Sequence, residues 1–261
     1  MTATIDATEL WTESSRYPRE QSFTRFTLMR PRPLEPYPAV VMVGDADGMS
    51  PLVRELAQRL AQAGYVAFAV DLFSRFGVAR PADPATGLVL LKSVPDRHFA
   101  SDLEHGVRYL RRRADVDLQR IGVLGLGAGG HYAYEWCLQN RDARALVCVQ
   151  APHLTGADAA VTAAGAERPL QAATDSVARL ECPLLTLWGE RDPAVAAGSI
   201  EALGRTLEQH HRVYHLKTYP TAGANLLDVR AAQFDRAVAD DCWSLITRFL
   251  GERVMQKAGS A

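Results

Sequence analysis

The sequence is poor in the features that mark secreted, membrane and nucleic-acid-binding proteins. Its four cysteines lie far apart and form no CxxC pair, which favours free thiols over disulfides or a metal cluster. No run reaches the roughly 18 consecutive apolar residues of a membrane helix, and the first 19 residues carry scattered charges instead of a signal peptide pattern. The 29 basic and 30 acidic residues leave a net charge of -1, without the basic patch that binds nucleic acid. We therefore expect a cytoplasmic protein with no metal, membrane or nucleic acid partner.

Buried strands alternate with amphipathic helices along most of the chain. Three continuous apolar runs, Ala39–Val43, Tyr65–Val70 and Ile121–Leu124, are typical of strands that are covered on both faces. Such alternation predicts an α/β fold with a mostly parallel central sheet and helices on both faces. With 261 residues, 48% of them hydrophobic, we expect a single domain over 1–261, a flexible leader over 1–20 and a flexible tail over 256–261. The pattern leaves the oligomeric state open.

Two irregular segments interrupt this alternation. Asp71–Pro95 is rich in proline and glycine, and Pro152–Asp175 is rich in alanine and glycine. Loops of this length often serve as lids or binding walls. Because ligands bind at the carboxyl ends of the strands in such sheets, both segments are predicted to lie near a ligand site.

A glycine-rich turn joins the apolar run ending at Leu124 to the next predicted helix. Gly125, Gly127 and Gly130 nearly match the dinucleotide fingerprint G-x-G-x-x-G. That interpretation is disfavoured because the next strand is followed by Gln150, where a ribose-binding site needs a carboxylate. We therefore predict no cofactor. The same turn also has the spacing of a nucleophile elbow, in which two glycines flank a central residue.

At this point the chain resembles the dienelactone hydrolase family of α/β-hydrolases, from about Pro38 to Leu250. The resemblance lies in the order and spacing of several short segments. These are Val40–Gly48, Gly64–Ala67, Asp71–Arg75, Gly125–Gly129, Leu187–Pro193 and Tyr219–Gly223. It implies the α/β-hydrolase fold and a small-molecule substrate or ligand.

The resemblance also locates three positions of a catalytic triad. The family carries a cysteine or serine at the elbow centre, where this chain has Gly127. Its aspartate position holds Asp192, and its histidine position holds Ala224. Neither a hydrogen atom nor a methyl group can attack a carbonyl or carry a proton. The resemblance therefore implies a degenerate triad that lacks the ordinary hydrolytic mechanism.

Other chemical groups remain near these positions. By resemblance, the backbone amides of Ala46 and Ala128 would form an oxyanion hole, or alternatively the glycines around them only permit a tight turn. Asp192 is a candidate acid or base, or a loop carboxylate bonded to backbone amides. Asp45 stands where the family has a glutamate beside its nucleophile, and it is the second candidate acid or base. Asp47, two residues on, fits helix capping better.

Two histidines complete the candidate site. His131 follows Gly127 by one helical turn, so its imidazole could occupy part of the space that Gly127 leaves; a core position is the alternative, and the pattern favours it. His153 follows a buried strand at the ligand edge and is either exposed or part of the pocket. Trp188 and Asn225 are further candidates for the pocket wall.

Three hypotheses follow for the function. The first is an enzyme that promotes cyclisation, isomerisation or elimination of a carbonyl compound, with Asp192, Asp45 and His131 as proton-transfer groups. The second is a non-catalytic protein that binds a small molecule in the same pocket. The third is a hydrolase with a relocated nucleophile, such as Ser50 or Cys148.

Overall fold

The computed structural model describes residues 6–19, 22–78, 80–155 and 176–256. Within these ranges eight strands form one mixed sheet, and six α-helices pack against it. The strands are β1 (Leu10–Arg19), β2 (Ser22–Pro31), β3 (Tyr37–Val43), β4 (Val66–Val70), β5 (Val116–Leu126), β6 (Ala143–Val149), β7 (Leu184–Gly189) and β8 (Tyr214–Tyr219). The helices are α1 (Pro51–Gln62), α2 (Pro84–Lys92), α3 (Asp96–Leu110), α4 (Ala128–Gln139), α5 (Ser199–Gln209) and α6 (Arg236–Leu250).

The sheet runs in the order β1-β2-β4-β3-β5-β6-β7-β8. Strand β2 is antiparallel to both β1 and β4. The other six strands, which lie across the sheet in the order β4, β3, β5, β6, β7 and β8, are parallel to one another. The predicted α/β-hydrolase architecture, with a mostly parallel sheet, is therefore confirmed. The parallel strands end at one edge, where the loops after β3, β5, β6 and β7 meet.

Alternate residues of each strand supply two separate hydrophobic cores, one on each face of the sheet. Val41 and Val123 belong to the core beneath α3 and α4, whereas Val40 and Leu124 belong to the core beneath α1 and α6. Both faces are apolar because helices cover both sides, which explains the uninterrupted hydrophobic runs.

Two expectations for the irregular regions are corrected. Residues 10–19, assigned to a flexible leader, form β1, which pairs with β2 over its whole length; its side chains are largely polar because β1 is the exposed edge of the sheet. Asp71–Pro95 contains α2, which begins at Pro84 with Asp83 as its N-cap. Most of Pro152–Asp175 lies outside the described residues, as do 1–5 of the leader and 257–261 of the tail.

Candidate active site

The centre of the site is a sharp turn between β5 and α4. Gly127 has φ 51° and ψ -124°, and Ala128 starts the helix at once. Positive φ values of this kind favour glycine, although functional sites also retain such strain. The neighbouring Gly129 allows α4 to approach the end of β3 closely, since a Cβ atom at Gly129 would lie 2.2 Å from the Gly44 carbonyl oxygen. This close contact brings the first amide of α4 against the loop after β3.

The Asp45 carboxylate binds both predicted oxyanion amides. Its Oδ1 atom accepts hydrogen bonds from the Ala46 amide at 2.7 Å and from the Ala128 amide at 2.8 Å. The two amides thus converge on one oxygen atom. In this structure that oxygen belongs to the protein itself. Hydrogen bonds from backbone amides to an ionised carboxylate are among the stronger ones in proteins.

The same carboxylate fills the space beside Gly127. A Cβ atom built on Gly127 would lie 2.0 Å from Asp45 Cγ and 2.1 and 2.2 Å from its two oxygens. Those three atoms are the nearest neighbours of that position. The side chain that fills this space is therefore Asp45, from the loop after β3, and not His131, which is buried in the alternative core position.

Asp45 has an altered affinity for protons. Burial raises the pKa of this carboxyl group, the two amides lower it, and the negative charges of Asp47 and Asp192 raise it further, with a net upward shift. A carboxyl group with a raised pKa holds a proton at higher pH than an exposed aspartate does. Such a group is better suited to acid–base catalysis near neutral pH.

Asp192 is held by a different set of partners. It lies after β7 and is 6% exposed. Its Oδ2 atom accepts a hydrogen bond from Gln150 Nε2 at 2.8 Å, and its Oδ1 atom accepts one from the Ala194 amide at 2.9 Å. Both carboxylate oxygens therefore have protein donors without a histidine, and the carboxylate is fixed in orientation.

Gln150 is the residue that reasoning from the sequence missed. Besides Asp192, its side chain donates to the Gly223 carbonyl at 3.1 Å and accepts from the Gly189 amide at 2.6 Å. It also has a φ of 49°, which is uncommon for a residue other than glycine. One buried carboxamide thus connects the loops after β6, β7 and β8. The comparison with the dinucleotide fingerprint considered Gln150 only because a carboxylate is missing at that position. The signal that could have identified Gln150 is a polar residue directly after a buried strand.

The remaining predicted pocket residues lie in different environments. Ala224 and Asn225 are exposed in the loop after β8, next to the Gly223 carbonyl that Gln150 binds. Asn225 has a left-handed φ of 69°. Trp188 is fully buried in the core beneath α3 and α4, so the prediction that it lines an open pocket is not supported by its position. Its place on β7 inside a doubly covered sheet explains this burial.

His131 and His153 form a cluster of their own. Their rings pack edge to face with centroids 4.7 Å apart, and both side chains are almost fully buried. His131 Nε2 lies 3.0 Å from Asp96 Oδ2, at the start of α3. Burial and the neighbouring His131 lower the pKa of His153 well below its usual value. These contacts direct the two imidazoles toward each other and direct His131 toward α3. The side chain that contacts Asp192 is Gln150 and not His131.

The two side chains suggested as relocated nucleophiles are both engaged or buried. Ser50 is the N-cap of α1, and its Oγ atom accepts from the Val53 amide at 3.5 Å. Cys148 lies within β6 with no exposed surface, and burial raises the pKa of its thiol. A thiol that stays protonated is a poor nucleophile.

Metal-ligating clusters and membrane-spanning helices are both absent from the described residues. No group of three or more histidine, cysteine, aspartate or glutamate side chains there is arranged to hold a metal ion. None of the helices in the same ranges is long and apolar enough to cross a membrane.

The fold and the strand–turn–helix elbow define the class of the protein as an α/β-hydrolase. The family model of the dienelactone hydrolase family matches residues 25–254. The chain therefore belongs to the dienelactone hydrolase family. This match covers all of the parallel sheet and every loop of the site described above.

Known proteins of this family are similar to the chain over most of its length. A "Putative carboxymethylenebutenolidase" of Yersinia pestis is 30% identical over 190 residues, which cover 72% of this chain and 68% of the relative. A "Probable 2-oxo-3-(5-oxofuran-2-ylidene)propanoate lactonase" of Bradyrhizobium is 28% identical over 196 residues, 75% of this chain and 76% of the relative. The crystal structure of a "Putative Dienelactone Hydrolase" from Klebsiella pneumoniae superposes with a TM-score of 0.81 at 22% identity, covering 93% and 99% of the two chains; that likeness concerns the fold.

Proposed function

We propose that the protein is a non-hydrolytic enzyme that moves a proton on a carbonyl-containing small molecule, with Asp45 as the acid–base group. The reaction would be an isomerisation, cyclisation or elimination. The observation that supports this most strongly is the position of the Asp45 carboxylate beside Gly127, with Oδ1 held by the amides of Ala46 and Ala128. By family resemblance Gly127 and Ala224 stand at the nucleophile and histidine positions, so a carboxylate takes the place of the nucleophile.

The hydrogen bonds of Asp45 leave its two oxygens in different situations. Oδ1 accepts both amides, whereas among the described residues no hydrogen bond to Oδ2 is found. Oδ2 is therefore the atom that takes the proton from the carbon next to the substrate carbonyl. This role requires Oδ2 to be accessible to the substrate, and Asp45 is half-buried rather than fully enclosed. Fixing one oxygen while leaving the other free positions a general base without blocking it.

The amides then have a second role in the proposed reaction. In the ionised state they stabilise the negative charge of Asp45. When Asp45 accepts the proton, that charge moves to the substrate oxygen as an enolate, and the two amides become available to it. Donors that are already in place when the charge develops are an efficient source of transition-state stabilisation.

Asp192 acts on this step through its charge and through the loops that it connects. Its two oxygens are occupied by Gln150 and Ala194, so it is a positioning residue in this proposal. Its negative charge raises the pKa of Asp45 and makes Asp45 a stronger base. His131 and His153, which contact each other and Asp96, are given no proton-transfer role.

The substrate class is suggested by the names of the relatives. Those names refer to butenolide and lactone substrates. The ring-opened keto acids of such lactones carry acidic protons next to a ketone. We propose an open-chain keto acid that interconverts with an unsaturated lactone as the substrate class for this chain.

Exchange of hydrogen for deuterium tests this function even when the final product is unidentified. The protein is incubated in D2O with a panel of keto acids and lactones that have a hydrogen on an sp3 carbon next to the carbonyl, and deuterium at that carbon is followed by NMR. Wild type should accelerate exchange on at least one compound, and Asp45→Asn should abolish it. Glu190→Gln is the matched control, because Glu190 is an exposed carboxylate that follows β7 at the same edge of the sheet, and this variant should retain most of the activity. Loss of exchange in Glu190→Gln alone would contradict the assignment.

A ligand-binding protein without catalysis is the second candidate. It is favoured by the observation that Asp45 Oδ1 and both oxygens of Asp192 accept hydrogen bonds from internal donors, as in a site that no longer reacts. Saturable binding of a lactone with no exchange and no product over a long incubation would establish it. A hydrolase with a relocated nucleophile would instead react with an activated ester or a thiol-reactive probe.

A further inference from the structure

A second crevice lies beside the β1–β2 hairpin and the start of α1. Its volume is about 430 Å³, within the usual range for sites that bind small molecules. It contains no residue that contacts the Asp45 carboxylate. It is lined by Ser14, Ser15, Arg16, Arg25, Phe26, Thr27, Met49, Arg54 and Asp71.

The pairing of β1 and β2 brings four polar side chains to one face of the hairpin. Ser14 is opposite Thr27, and their hydroxyl oxygens are 3.3 Å apart. Arg16 is opposite Arg25. Because residues two apart in a strand share a face, all four side chains point to the same side of the hairpin. Arg54, from α1, lines the same crevice.

The charges in this crevice are unbalanced. Arg25 donates from Nε to Asp71 Oδ2 at 2.8 Å, and among the described residues Arg16 and Arg54 have no carboxylate partner within 4.0 Å. Three guanidinium groups and one carboxylate give a formal charge of +2. Like charges placed directly opposite on paired strands destabilise a sheet. An anion bound between them would remove this cost.

Arg16 is held in place by an aromatic ring. Its guanidinium carbon lies 4.7 Å from the centroid of the Phe23 ring, although Phe23 itself is 50% exposed. Stacking on a ring restricts an arginine without using its hydrogen-bond donors. The donors of Arg16 therefore remain available to a ligand.

We propose that this crevice binds the phosphoryl group of a phosphate monoester. Such a group carries about -1.5 to -2 charges at neutral pH and three acceptor oxygens, which matches the +2 charge of the crevice. Arginine forks suit phosphate oxygens. Because one hydroxyl of the Ser14–Thr27 pair donates to the other, the second hydroxyl keeps its donor for the ligand. The proposal is independent of the reaction at Asp45.

Calorimetric titration with phenyl phosphate and with inorganic phosphate tests the site. Wild type should bind phenyl phosphate with one site per chain. Arg16→Gln and Arg54→Gln should each weaken binding about tenfold or more, since each removes a charge-assisted hydrogen-bond donor. Arg112→Gln is the matched control, because Arg112 is exposed on the segment after α3 and its loss changes the net charge equally.

Each outcome decides the proposal. Equal weakening in Arg112→Gln would show a general charge effect and overturn the site, as would the absence of saturable binding. Benzoate at the same ionic strength should bind at least tenfold more weakly than phenyl phosphate; equal affinity would overturn the phosphoryl assignment. Comparable affinity for inorganic phosphate would show that the phosphoryl group alone is recognised, and circular dichroism confirms that both variants are folded.

Discussion

Asp45 and Gly127 form a complementary pair across the turn between β5 and α4. The carboxylate lies so close to Gly127 that a Cβ atom there would be 2.0 Å from Asp45 Cγ, and Asp45 Oδ1 binds the amide of the next residue, Ala128. The Asp45 carboxylate, from the loop after β3, thus occupies the space that a side chain at position 127 would fill.

Adding a side chain at Gly127 should cost more while Asp45 is present than when it is removed. Gly127→Ala creates a steric clash with Asp45 and also places an alanine at φ 51° and ψ -124°, a conformation that favours glycine. Gly77→Ala is a control for a positive φ without a clash, because Gly77 has φ 69° and no atoms within 4 Å of its added Cβ. The free energy of unfolding from urea denaturation should fall more for Gly127→Ala than for Gly77→Ala. In an Asp45→Gly background the cost of Gly127→Ala should become smaller, whereas that of Gly77→Ala should stay the same; an unchanged cost of Gly127→Ala would mean that Asp45 does not fill this space.

Asp45→Asn should stabilise the protein as the pH rises. The folded-state pKa of Asp45 is raised from 3.8, so ionisation costs the folded state free energy that is absent below pH 3.8 and complete above the folded pKa. Asparagine keeps an oxygen for both amides but carries no charge. The melting temperature of the variant, relative to wild type, should increase from pH 3.5 to pH 7.

Asp83→Asn provides a control of opposite sign. Asp83 caps α2, and the bonds from Thr86 lower its pKa, so this variant should lose stability relative to wild type over the same pH range. Parallel trends in the two variants would contradict the burial of Asp45.

Gln150→Leu should destabilise the protein strongly. It leaves the Gly189 amide, the Gly223 carbonyl and one oxygen of Asp192 without their partner, and a buried polar group without a partner costs about 1–3 kcal/mol. We expect a loss of at least about 2 kcal/mol in the free energy of unfolding. Gln139→Leu, at an exposed glutamine on α4, should change it by less than about 0.5 kcal/mol. Similar effects for both variants would contradict the role of the Gln150 carboxamide in connecting the three loops.

His153 should make the protein sensitive to mild acid. Its pKa is well below the usual 6.5 because of burial and the nearby His131, so below pH 6.5 the unfolded chain binds a proton that the folded chain does not. Stability should therefore fall between pH 7 and pH 5, and His153→Gln should reduce this slope. The exposed His210→Gln should leave it unchanged. Equal slopes in wild type and His153→Gln would show that His153 titrates freely.

The sequence predicted the parallel strands, the elbow and the helices other than α2 because continuous apolar runs, helical periodicity and glycine spacing reflect local geometry. It missed β1, whose polar residues give an exposed edge strand no hydrophobic pattern. It named Asp45, Ala46 and Ala128 together, but only by resemblance. The contact of Gln150 with Asp192 joins residues 42 positions apart and depends on a strained backbone at Gln150, which no local pattern encodes. The His131–His153 contact was missed for the same reason.

The pH titration of the Ala46 and Ala128 amide resonances tests the central claim most directly. If both amides donate to the Asp45 carboxylate, their ¹H and ¹⁵N shifts should titrate together with one midpoint above 3.8, and both transitions should vanish in Asp45→Asn. Independent midpoints, or transitions that persist in Asp45→Asn, would contradict a carboxylate held by both amides.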